Sequence, residues 1–98
     1  MGANTFYVIS TGSSAQEAFY TAVERERSNF DDDYQGYSGT IAEKNSFVRI
    51  PLPENISPIE YSNKLIDTRD SRINDKWGPA GCFDLGNKTY VFFGWASS

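Results

Sequence analysis

The stretch DKWGPAGCFDLGNKTYVFFGW, residues 75–95, decides the fold. A Gly/Pro-rich loop carrying Trp77 leads into two apolar runs, Gly81–Leu85 and Thr89–Trp95, parted by Gly86 and Asn87. Two such runs across a short break read as a β-hairpin that closes the chain. Side chains alternate along a strand. In the second run Tyr90 and Phe92 therefore share one face, and Val91, Phe93 and Trp95 the other. Both faces are apolar, and both need cover.

Upstream, Thr5–Ser10 is a β-branched and aromatic run, apolar on both faces, which suits an interior place in a sheet. Ser14 with Glu17 has the spacing of a capping box, and Ala15, Ala18, Phe19, Ala22 and Val23 form one apolar stripe, so the spacing predicts a helix over 14–29. Asp31, Asp32 and Asp33 end it, because like charges there oppose the helix dipole. They lack the alternating ligands of a calcium loop and read as a solvated turn.

After a tyrosine-bearing loop at 34–39, Thr40–Glu43 and Ser46–Ile50 read as a hairpin about Lys44 and Asn45, with Ile41 opposite Val48. Pro51 and Pro53 stop that strand. Ser57-Pro58-Ile59-Glu60 is a second capping box, opening a helix to about Asp67 that buries Ile59, Leu65, Ile66 and Tyr61. A loop follows, anchored by Ile73.

The chain of 98 residues is thus expected to be one domain of α+β class, residues 1–98. The order is ferredoxin-like: βαββα plus a C-terminal β-hairpin, two-layer, with an antiparallel sheet and two helices on one face. The other face of the closing strand would lie bare, so a homodimer is expected to cover it.

Composition narrows the chemistry. A single cysteine, Cys82, forbids an internal disulfide, and without histidine the usual zinc sites are excluded. No catalytic residue, metal site or cofactor is expected: nothing supplies a nucleophile with its base, and no Walker, Rossmann or nucleophile-elbow motif occurs. Cys82 reads as a buried structural thiol, and the aspartates 67, 70, 75 and 84 as surface charge. No apolar run is long enough for a membrane span, and a cytoplasmic protein is expected. The net charge of -4 argues against general nucleic-acid binding.

Charge is unevenly placed. Residues 1–43 hold seven acids and two bases, whereas 44–98 hold six acids and seven bases, which puts any anion site in the second half. Two glycine-rich loops, 36–40 and 77–81, lie there or beside it, and glycine lets backbone amides approach an anion. The candidate ligand-binding residues are Tyr37 and Trp77 for stacking, Lys44, Arg49 and Lys76 for phosphate, and Gly39, Gly78 and Gly81 for close approach. The plain alternative is that both loops are connections whose glycines serve turns.

The phrases GTIAEKNSFV (39–48), DKWGPAG (75–81) and FFGWAS (92–97) resemble small uncharacterised proteins of phages and prophages. That resemblance implies a host-cell cytoplasmic setting and a role in disarming a host system. The function expected is a small non-enzymatic binder of an anionic, nucleotide-like ligand, acting by sequestration. The alternative is an inhibitor or adaptor that meets a host protein through the acidic Glu24–Asp33 surface.

Overall fold

The computed structural model describes residues 3–28 and 40–97. Its order is β1 (Ala3–Thr11), α1 (Ala15–Ser28), a 3-10 turn (Ile41–Glu43), β2 (Phe47–Arg49), α2 (Pro58–Asp67), β3 (Ala80–Gly86) and β4 (Thr89–Ser97). The class is α+β, with two helices and one four-stranded sheet.

Both capping serines lie at helix starts. Ser14 Oγ accepts from Glu17 N–H at 3.2 Å and Ser57 Oγ from Glu60 N–H at 3.3 Å. In α1 the buried stripe is Ala15, Ala18, Phe19, Ala22 and Val23, the set its periodicity names. In α2 Leu65 is buried and Tyr61 and Ile66 half-buried, but Ile59, expected inside, is 51% exposed. Ser62 is buried instead, its hydroxyl satisfied within the helix by Ile59 O at 2.9 Å.

The closing hairpin forms with its two-residue turn at Asn87 and Lys88, whose φ values of 53° and 60° are the left-handed pair of a type I′ turn. The sheet order is β1-β4-β3-β2. β4 is antiparallel to both neighbours, but β2 and β3 run parallel, so the sheet is mixed and the all-antiparallel ferredoxin-like order is not the one found. Parallel neighbours need a long crossover, and the segment holding α2 supplies it.

The expected hairpin at 40–50 is absent for a local reason. Thr40 Oγ1 accepts from Ala42 N–H at 3.2 Å, and Lys44 N–H returns to Ile41 O at 2.9 Å, which curls the chain into a 3-10 turn. Ile41, Ala42 and Lys44 are all buried, which the alternation of a strand cannot achieve.

The helices lie on opposite faces of the sheet. One core joins α1 to Ile41, Ala80, Cys82, Tyr90 and Phe92, with Phe6, Val8 and Phe47 at its margin. The other joins Leu65, Ile73 and Ile50 to Phe83, Val91 and Phe93, with Tyr7, Val48 and Trp95 at its margin. This corrects the expectation of two helices on one face, and with it the bare face that motivated a dimer. β4 is covered on both sides, and the strand read as interior, β1, is at the edge.

Candidate functional site

The segment between α2 and β3 builds a cleft from simple backbone rules. Beyond Asp67, Asp70 N–H donates to Leu65 O at 3.0 Å and Arg69 N–H to Ile66 O at 3.1 Å, the paired bonds of a Schellman motif. Glycine is the usual occupant of its left-handed position. Here that position is Arg69, with φ 55°, a conformation costing an L-residue roughly 1–2 kcal/mol.

Asp70 Oδ1 accepts from the Arg72 amide and from Arg72 Nε, both at 2.9 Å, and its Oδ2 from Nη2, also at 2.9 Å. Those side-chain hydrogen bonds hold the Asp70 carboxyl down at about 2. Ile73, 1% exposed, then pins the segment to the core.

Residues 75–78 form a tight turn. Asp75 O accepts from Gly78 N–H and Asp75 Oδ1 from Trp77 N–H, each at 2.9 Å. Aspartate first and glycine fourth are the preferences of a type I turn. Lys44 secures this turn from the interior. Its Nζ donates to the carbonyls of Lys76 at 3.0 Å, Gly78 at 2.9 Å and Asp75 at 3.5 Å, and stands 6.0 Å from the Phe6 ring centre. Burial pushes the Lys44 pKa below the usual lysine value, while Glu43 and Asp75 act the other way.

Arg69, Asn74 and Lys76 from this segment, with Ala3 of β1 and Trp95 of β4, line a cleft of about 310 Å³. Two cations and an indole face it, and among the described residues no acid does. The neighbouring carboxylates are committed elsewhere, Asp70 to Arg72 and Asp75 to the Trp77 amide. Trp95 is half-buried, and its Nε1 has no acceptor among the described residues.

The three cations expected to converge do not. Lys44 borders a groove along α1 with Asn45, Tyr20 and Arg27. Arg49 pairs with Asp84 at 2.8 Å on the β2 side, beside a hollow of about 200 Å³ lined by Ile50, Pro51 and Leu52. Lys76 alone reaches the cleft above. Trp77 is 60% exposed, with Lys76 Nζ 5.7 Å from its ring centre.

Gly78 serves the turn. Gly81 lies against Phe93, where a Cβ would sit 2.5 Å from a ring carbon, so its lack of a side chain makes room for an aromatic rather than a ligand. Tyr37, Gly39 and Asp31–Asp33 lie outside the described residues; within the acidic surface, Glu24 is exposed and alternates with Arg25 and Arg27.

Of the residues lining this cleft, sequence reasoning did not name Arg69 or Asn74. The signal for Arg69 was the helix end itself, since no glycine follows Asp67 and some other residue must take the left-handed position. Cys82 is fully buried, and burial pushes its thiol up to about 11. The aspartates 67, 70, 75 and 84 do not gather: among the described residues no group of three or more His, Cys, Asp or Glu side chains comes together. Also among these residues, no helix is long and apolar enough to cross a membrane. No protein-family model, curated protein or solved structure matches the chain.

Proposed function

We propose that the protein is a non-enzymatic binder of a small anionic, nucleotide-like ligand, held in the cleft of Arg69, Asn74, Lys76 and Trp95. The observation that carries this reading is Arg69. A cation occupies a backbone position that favours glycine, beside a cleft with no acid among its described lining residues, and makes no ion pair with a described residue. Strain retained at one residue is a mark of functional sites. Arg69 and Lys76 supply charge for a phosphate, Asn74 a hydrogen-bonding amide, and Trp95 an aromatic wall.

A cleft of about 310 Å³ is at the small end for ligand sites, roughly 300–1,000 Å³. It suits a mononucleotide or a smaller phosphate ester. In the phage setting that the resemblance implies, binding without turnover amounts to sequestration of such a molecule inside the host cell.

The test is thermal unfolding of the purified protein against a panel of nucleotides and sugar phosphates, with native mass spectrometry of the mixtures. Ligand at a hundred times its Kd stabilises by about 2.7 kcal/mol. That raises Tm by about 10 °C or more in a domain this size. Arg69→Gly is expected to remove the shift while leaving the unliganded protein at least as stable. A panel that produces no bound species and no shift rejects the reading.

A further inference from the structure

We propose that the outer edge of β1 is a self-association surface, where a second copy of this chain adds its own β1 antiparallel about a two-fold axis. The ladder determines which groups are available. Gly12 N–H donates to Lys88 O at 3.1 Å, and these residues continue the register that sets Thr11 against Thr89. Bonded and non-bonded pairs alternate along an antiparallel ladder. Asn4, Phe6, Val8 and Ser10 therefore direct their amides and carbonyls at β4, and Ala3, Thr5, Tyr7, Ile9 and Thr11 direct theirs outward.

The far side of the sheet gives an independent check. Ile50 N–H bonds Cys82 O and Ala80 N–H bonds Ser46 O, the parity that β3 must have if β4 keeps its even residues for β1.

Among the described residues β1 pairs only with β4. Edge strands are normally blunted by brevity, charge, proline or a bulge. The other edge meets that rule: β2 is three residues long, includes Arg49 and runs into Pro51. β1 breaks it, with nine residues in unbroken register and no charged side chain before Glu17. It has the sequence of an interior strand, and a second copy makes it one.

The strand also complements itself. A two-fold axis at Tyr7 sets Tyr7 against its own copy, Thr5 against Ile9 and Ala3 against Thr11, and no like charges meet. Ile9, 53% exposed, gains cover from the copy's Thr5 and Tyr7. Nine residues at about 3.4 Å each give an edge about 30 Å long. With a side-chain row above and below, about 10 Å thick in all, such an edge presents roughly 300 Å² per partner, so the backbone ladder and not apolar area holds the pair. This inference does not rest on the ligand reading.

The experiment is sedimentation equilibrium of the full chain with residue-resolved amide exchange. Expected are twice the chain mass of 11.0 kDa and slow exchange at Thr5, Tyr7 and Ile9. Ile9→Lys places a charge on an exposed side chain. Thr5→Pro removes an amide that faces outward and so costs no internal ladder bond. Each is expected to give a monomer with unchanged far-UV circular dichroism and Tyr7 exchange faster by roughly ten-fold or more. Three results overturn the proposal: a single-chain mass at high micromolar concentration, a monomer whose outward amides are protected by its own chain, or a dimer indifferent to both substitutions.

Discussion

The ammonium of Lys44, a residue 2% exposed, donates to the carbonyl oxygen of Gly78 at 2.9 Å, joining the end of the 3-10 turn to the turn that carries Trp77. With the carbonyls of Lys76 and Asp75 also in reach, this lysine is a structural pin for the 75–78 turn. A lone buried charge is costly unless hydrogen bonds satisfy it, and here the turn does so.

Lys44→Met keeps the stem and removes the donors. The turn carbonyls then lose their partner, and a buried acceptor left unsatisfied costs about 1–3 kcal/mol. A loss of about 2 kcal/mol is expected in urea unfolding, with a Tm lower by about 8–16 °C. An unchanged midpoint would show that water replaces the ammonium without cost.

Gly81→Ala forces a methyl group onto the Phe93 ring, since the nearest ring carbon would lie 2.5 Å from the new Cβ. Overpacking of this kind costs about 1–3 kcal/mol. The double variant with Phe93→Leu is expected to recover part of that loss relative to Phe93→Leu alone. Strict additivity of the two changes would disprove the steric account.

The two tryptophans are expected to behave oppositely. Trp77 is 60% exposed, so Trp77→Ala should change stability by less than about 1 kcal/mol. Trp95 packs against the core beneath α2, and Trp95→Ala should cost about 3 kcal/mol. Denaturant midpoints of both variants check this, and equal losses contradict it.

Asp70 carries the acid response of the α2–β3 segment. Its folded pKa of about 2 lies below the ordinary 3.8 because Arg72 hydrogen-bonds the carboxylate. The contribution is therefore fully present above pH 3.8 and is lost as pH falls through about 2. Carbon-detected titration should place Asp70 well below the ordinary aspartate value of 3.8. In Arg72→Ala it should return towards 3.8, and a titration unmoved by that change would assign the shift elsewhere.

Much of the local structure was legible because its causes are local. Ser14 with Glu17 and Ser57 with Pro58 mark both helix starts, and the alternation from Gly81 to Trp95 marks the closing hairpin. What failed depended on distant partners. Thr40–Glu43 has strand-like residues, but its short-range hydrogen bonds and a lysine drawn inward to the 75–78 turn outweigh that tendency. The parallel β2–β3 pair and the opposite placement of the helices follow from that loss of a strand. Of the residues lining the proposed cleft, Lys76 was named from charge and loop context, and Arg69 was not, because it joins the cleft only through the fold.

One of the two interior strands of the sheet, β4, is also the most C-terminal of the described elements. During synthesis both β1 and β3 wait as uncapped edges until it arrives, and β1 waits for the whole length of chain between them. Contacts between segments so far apart in sequence close slowly, and edges left open in the interval invite pairing with other chains. Assembly of this sheet is thus a race between its own late-made centre and its neighbours on the ribosome.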